Sequence, residues 1–181
     1  MVKIIKKQII LLVPILTLLI ICIFSAIYIL QNRNPDKPPS VLIGKKAPTF
    51  ELKNLFNNTD IINNEDLNDK YVLINFFASW CAPCKIEHPL FFQIKDNFPN
   101  LYLLGINHKD KIINAKKYLY DEENPYNFVG LDTNGYVALE FGVLGLPETF
   151  LINPKGKIIY KHLGPLTNKI IKNEIKTLLH K

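Results

Sequence analysis

An α/β fold, with a central mixed sheet flanked by helices, is what this sequence predicts, and three observations carry that reading. Tyr71 to Phe77 and Leu101 to Ile106 are short, nearly uninterrupted apolar runs of the kind buried in mid-sheet. A helical stretch from Ala82 to Asn97 separates them, which makes one βαβ unit with parallel strands. Further on, Thr149 to Asn153 and Lys157 to His162 flank Pro154-Lys155-Gly156, a hairpin signature that adds antiparallel pairing and so makes the sheet mixed.

The remaining elements follow in chain order. Ile9 to Leu30 is a run of 22 residues without a formal charge, long enough as a helix to cross a hydrocarbon core roughly 30 Å thick. Lys3, Lys6 and Lys7 precede it, and the positive-inside rule keeps residues 1–8 cytoplasmic and sends everything after Leu30 to the other side. An uncleaved anchor fits better than a signal peptide, because the apolar run exceeds a signal core and no small-x-small cleavage site follows it. Cys22 follows Ile21 rather than a small residue, which argues against a lipoprotein site. Residues 31–40, with Pro35, Pro38 and Pro39 among polar residues, read as an extended linker. Residues 41–181, about 140 in all, make one domain of ordinary size.

Within that domain, Ala47-Pro48-Thr49-Phe50-Glu51-Leu52 alternates apolar and polar positions and predicts an added N-terminal hairpin. A second helix is expected over Asp110 to Tyr120, and Asn134-Gly135 starts a segment that runs to Phe141. The chain closes with a helix from Asn168 to Leu179, whose Ile171, Ile175, Leu178 and Leu179 share one face.

The formal net charge of +6 divides unevenly. Residues 1–40 hold five Lys or Arg against one Asp, which leaves 17 basic and 15 acidic residues for the domain. A nearly neutral domain carries no nucleic-acid footprint.

The chemistry centres on Trp80-Cys81-Ala82-Pro83-Cys84, directly behind the first strand. A Cys-x-x-Cys pair serves metal binding, covalent haem attachment, a structural bridge or thiol-disulfide exchange. Structural zinc needs four ligands, and the only other cysteine is Cys22. Haem attachment needs a histidine right after the second cysteine, where this chain has Lys85. An inert bridge remains open, although so small a loop adds little stability. Exchange fits best. A strand that delivers two cysteines to a helix start sets the first sulfur against unpaired backbone N–H groups and the positive end of the helix dipole, which favours its thiolate and leaves it exposed to partners. In that mechanism Cys81 attacks a partner disulfide and Cys84 resolves the mixed disulfide.

Neighbouring residues have a functional and a plainer reading each. Trp80 screens the site or is a half-buried packing residue, and Pro83 suits the first helical turn. Glu87, one turn past Cys84, either keeps that thiol protonated and accepts its proton, or faces solvent. His88 precedes Pro89, which is expected to kink the helix, and reads as a packing or surface histidine. Pro147 either offers the peptide groups of Leu146 to an extended substrate, through a cis bond opposite the cysteines, or simply ends a loop.

Taken together, these residues resemble the thioredoxin-like proteins of the bacterial envelope, and most closely the thiol:disulfide interchange proteins of cytochrome c biogenesis, the CcmG/DsbE family, which is TlpA-like. The likeness runs through residues 39–45, the Trp80 to Cys84 motif with Glu87-His88-Pro89, Gly105-Ile106-Asn107-His108-Lys109-Asp110, Asn124-Pro125-Tyr126, and residues 142–150 with Pro147-Glu148-Thr149-Phe150. The resemblance implies a thioredoxin-like fold and a membrane-anchored periplasmic reductase that keeps the haem-binding cysteines of apocytochrome c reduced, without a cofactor of its own. Cys81 and Cys84 would be the redox-active disulfide, Glu87 the acidic modulator, and Trp80, Leu146, Pro147 and Glu148 the substrate-binding set. Asn75 stands where thioredoxin has a buried aspartate, six residues before the first cysteine, and Glu87 would replace that acid. Electrons would come from a transmembrane thiol reductase of the DsbD or CcdA type. Lys46 and His108 depart from the family pattern, which has proline and tyrosine there, and His108 is therefore left out of the site.

Three other functions compete. One is an envelope reductase of the TlpA or ResA type with broader clients, another a peroxiredoxin suggested by Ala47-Pro48-Thr49-Phe50, and the third a non-catalytic haem or apocytochrome chaperone.

Overall fold

The computed structural model describes residues 2–30 and 41–179, in two units divided between Pro38 and Pro39. In the first unit Val2–Leu30 is one helix, α1. Its described side chains, residues 13–28, are exposed and span only about 24 Å, so among the described residues no helix is long and apolar enough to cross a membrane. The anchor expected over residues 9–30 extends past that stretch on both sides, and the expected linker, residues 31–40, lies outside the described residues.

The second unit is built on a five-stranded sheet of order β5-β4-β3-β6-β7. Its strands are β3 (Val72–Phe77), β4 (Tyr102–His108), β5 (Phe128–Asp132), β6 (Glu148–Ile152) and β7 (Ile158–Leu163). β3, β4 and β5 run parallel while β6 and β7 pair antiparallel, so the mixed sheet and the 149–162 hairpin stand as the sequence predicts. Helix α2 (Ala82–Asn97) joins β3 to β4, and α3 (Ile112–Asp121) joins β4 to β5. The expected N-terminal hairpin forms from β1 (Glu51–Lys53) and β2 (Ile61–Asn63).

Alternation along β3 sets two apolar layers. Leu73 and Phe77 pack on one face with Phe91 and Ile94 of α2, Ala115 and Tyr118 of α3, and Ile171 and Ile175 near the C-terminus. Val72, Ile74 and Phe76 pack on the other with Phe150, the hairpin residues Leu52 and Ile62, and Val137 and Phe141. Asn75 belongs to the first face and is fully buried there.

Several details differ from the sequence reading. β5 is a strand the apolar pattern did not mark, because Gly130 interrupts it. Yet a Cβ at Gly130 would lie 2.8 Å from Leu52 Cδ1, so its absence is what lets the hairpin close on this strand. The segment after Asn134-Gly135 is a short helix, α4 (Tyr136–Glu140). α3 starts two residues later than expected, because the Asp110 carboxylate is turned to Ser79 and the Lys111 amide. α2 continues through Pro89 to Asn97. The C-terminal helix runs from α5 (Asn168–Ile170) through a π-helical stretch (Ile171–Ile175) to α6 (Lys176–Leu179).

Candidate active site

β3 ends at Phe77, and Ala78-Ser79-Trp80 hands the chain to α2, whose N-cap is Cys81 in extended conformation. The sulfur of Cys81 accepts a hydrogen bond from the Cys84 amide at 3.2 Å, which satisfies a helix N–H that has no carbonyl partner. Cys81 and Cys84 are joined by a disulfide, their Cα atoms 5.3 Å apart. The expectation of an exposed first sulfur needs correcting: Cys81 is 4% exposed and Cys84 2%, and both belong to the buried apolar cluster that holds Phe77, Phe91 and Leu166.

Trp80 is 61% exposed rather than half-buried, and its indole N–H donates to the carbonyl of Lys109 at 3.3 Å. The loop beneath it is clamped by Asp110, which accepts from the Ser79 amide (2.6 Å), the Ser79 hydroxyl (2.9 Å) and the Asn107 side chain (3.1 Å). Sequence reasoning included Asp110 in a motif but assigned it no part in the site.

Glu87 does not face solvent. It is 1% exposed, accepting from the Leu166 amide at 2.7 Å on one oxygen and from the Asn75 side-chain amide at 2.9 Å on the other. Burial lifts its pKa from the ordinary carboxylate range to about 7, and these two donors hold it back from rising further. Asn75 also donates to Thr149 Oγ1 at 3.1 Å and accepts from the Tyr126 hydroxyl at 2.8 Å. His88 is a packing residue: Tyr118 Oη lies 2.9 Å from Nδ1, and the Glu123 carbonyl 2.8 Å from Nε2.

The register of β3 and β6 sets Phe76 opposite Glu148, so the Cys81 loop and Leu146-Pro147 emerge at the same end of the sheet. The Leu146–Pro147 peptide is cis, Pro147 is buried and Leu146 half-buried. The Glu148 carboxylate is fully buried, accepting from the Leu144 amide at 2.8 Å and pairing with Lys161 Nζ at 2.9 Å. Lys161 in turn donates to the Gly142 carbonyl at 2.8 Å, so the pair ties down the loop from Gly142 to Pro147. His108 pairs with Asp132 at 3.1 Å, and Asp132 accepts the Val137 and Ala138 amides at the start of α4.

A mixed sheet whose central strand hands a disulfide-bonded Cys-x-x-Cys pair to a helix N-terminus defines a thioredoxin-like thiol-disulfide oxidoreductase. Comparison with known proteins narrows the class. The model of the AhpC/TSA family matches residues 43–161. The thiol:disulfide interchange protein HelX of Rhodobacter capsulatus is 35% identical over 84% of this chain and 85% of its own length. DsbE of Escherichia coli K12, another thiol:disulfide interchange protein, is 35% identical over 97% and 96%. The crystal structure of a candidate DsbE from Chlorobium tepidum superposes with a TM-score of 0.64 at 28% identity, covering 74% of this chain and 94% of that one. The thioredoxin domain of a Bacteroides vulgatus thiol-disulfide oxidoreductase gives a TM-score of 0.67 at 22% identity over 77% and 99%, a likeness of fold alone. The chain belongs to the AhpC/TSA family, among its thiol:disulfide interchange proteins of the DsbE type.

Proposed function

We propose that this protein is a membrane-anchored periplasmic reductase that keeps the haem-binding cysteines of apocytochrome c reduced for haem ligation. The observation that carries the proposal is the buried Glu87, one helical turn beyond Cys84, its pKa raised to about 7. An acid poised there can take a thiol proton near neutral pH. The likeness of residues 142–150 to the cytochrome c biogenesis family supports the choice of client, and the apolar run 9–30 behind Lys3, Lys6 and Lys7 supports the anchor and its orientation.

In the reduced protein the Cys81 thiolate attacks one sulfur of the client disulfide. The client S–S bond breaks, its other sulfur leaves as a thiolate that solvent protonates, and a mixed disulfide forms. Cys84 gives its proton to the Glu87 carboxylate, and its thiolate attacks the sulfur of Cys81. The second client sulfur departs and takes the proton back from Glu87. The client has gained two electrons and two protons, and the protein is left with the Cys81–Cys84 disulfide. Trp80, exposed next to Cys81 in the chain, and the Leu146-Pro147 segment at the same end of the sheet receive the client chain. Glu148 contributes to that surface by fixing the loop ahead of Pro147 rather than through its buried carboxylate. A transmembrane thiol reductase of the DsbD or CcdA type restores the dithiol.

Trapping tests the proposal. Cys84→Ala is expected to accumulate mixed disulfides between Cys81 and apocytochrome c, identified by non-reducing electrophoresis and mass spectrometry. Recovery of only unrelated envelope proteins would point instead to a broader reductase of the TlpA or ResA type.

A further inference from the structure

We infer that Tyr126 and Asn75 are positioning residues for Glu87: the Tyr126 hydroxyl fixes which way the Asn75 amide faces, and that orientation holds Glu87 in its proton-accepting form. The inference rests on the reading of Glu87 as proton acceptor for Cys84.

An ionised carboxylate only accepts hydrogen bonds, whereas a carboxamide donates from one end and accepts at the other. Asn75 turns its NH2 to Glu87 Oε1 (2.9 Å) and Thr149 Oγ1 (3.1 Å), and its carbonyl to Tyr126 Oη (2.8 Å). Turned the other way, the amide would set its carbonyl against Glu87, an arrangement that suits only the protonated acid. Tyr126 opposes that turn, because its buried hydroxyl proton would then lose the carbonyl that accepts it. Burial pushes the Tyr126 phenol well above its ordinary range, so the donor persists across the working pH.

The Tyr126 ring is itself held in place. It stacks on Phe77 at 5.2 Å and lies 5.4 Å from Phe91. A Cβ at position 105 would come within 2.8 Å of the ring, so Gly105 is what leaves room for it. The Tyr126 amide donates to Asn124 Oδ1 at 3.0 Å, which fixes the turn that presents the ring. The titratable groups around Glu87 are Cys84 and His88 on α2, Tyr118 on α3 and Tyr126. Of these, burial raises both tyrosines, which stay neutral, and His88 has both ring nitrogens engaged elsewhere.

The test compares Tyr126→Phe, Asn75→Asp and Glu87→Gln in the full chain. Two readouts are followed: the carboxyl titration of Glu87 by NMR of 13C-glutamate-labelled protein, and the pH dependence of reduction of an oxidised Cys-x-x-Cys-His peptide. Tyr126→Phe removes the donor to the Asn75 carbonyl and frees the amide to turn its NH2 away from Glu87; since losing one hydrogen bond to a charged group moves a titration by about one pH unit, both curves are expected to shift alkaline by about that much. Asn75→Asp is expected to shift them further, since a second carboxylate would face the first. If Glu87→Gln removes the limb while both other variants leave it in place, the positioning role is overturned and the proton-acceptor reading survives. If Glu87→Gln itself leaves the limb where it was, that reading falls and the positioning role falls with it.

Discussion

Glu87 is the residue in which sequence position, burial and chemistry meet. Its place three residues after Cys84 puts it on the same side of α2 as that cysteine, and its burial makes the neutral acid the favoured form at mildly acid pH. That preference has a thermodynamic consequence. Between the unfolded carboxyl pKa near 4.5 and the folded value of about 7, the native protein binds the proton that the unfolded chain has released. Stability from this group is therefore full below about 4.5 and lost as pH rises through 7. We expect the unfolding free energy of the oxidised protein to fall by roughly 2–3 kcal/mol between pH 5 and pH 8, and Glu87→Gln to abolish most of that decline, as read by urea denaturation at each pH. The position of Glu87 relative to Cys84 was legible in the sequence, since i,i+3 spacing on one helix is local. Its partners were not. Tyr126 lies 51 residues from Asn75 along the chain, Thr149 lies 74 from it, and Leu166 lies 79 from Glu87. No local pattern joins such positions. Only the sheet and the closing turn after β7 bring them together.

Among the elements, those with an unbroken apolar run or a clear turn were readable: β3, α2, β4 and the β6–β7 hairpin. β5 was not, because strand propensity and packing disagree at Gly130. Glycine weakens a strand by itself, yet here it receives Leu52 from the N-terminal hairpin, which also reaches β5 through the Leu55 amide on the Val129 carbonyl at 2.8 Å. A methyl group at this position would press on Leu52 Cβ at 2.9 Å as well as on its Cδ1, so rotating the leucine does not relieve the contact. Gly130→Ala is therefore expected to cost roughly 1–3 kcal/mol in chemical denaturation, with hydrogen exchange accelerated first in residues 51–63. The late start of α3 has a similar cause. Asp110 looked like part of that helix, but its carboxylate is taken by the Ser79 and Lys111 amides and so fastens the loop ahead of the cysteines instead.

At the scale of the whole molecule, the basic character of the chain comes disproportionately from its first forty residues, and the domain beyond them is nearly neutral, with 17 basic against 15 acidic residues. The domain's sheet brings the cysteine loop, the Trp80–Lys109 contact and the Leu146-Pro147 segment to one end. In the proposed function this pair reduces a haem-binding disulfide by direct exchange. It is tested most directly by mixing the fully reduced full-length protein with a peptide carrying an oxidised Cys-x-x-Cys-His sequence, and counting disulfides on both sides by mass spectrometry. One peptide disulfide is expected to be lost for each Cys81–Cys84 disulfide formed, with no reduction by Cys81→Ser. A peptide that stays oxidised, or is reduced equally well by Cys81→Ser, would contradict it.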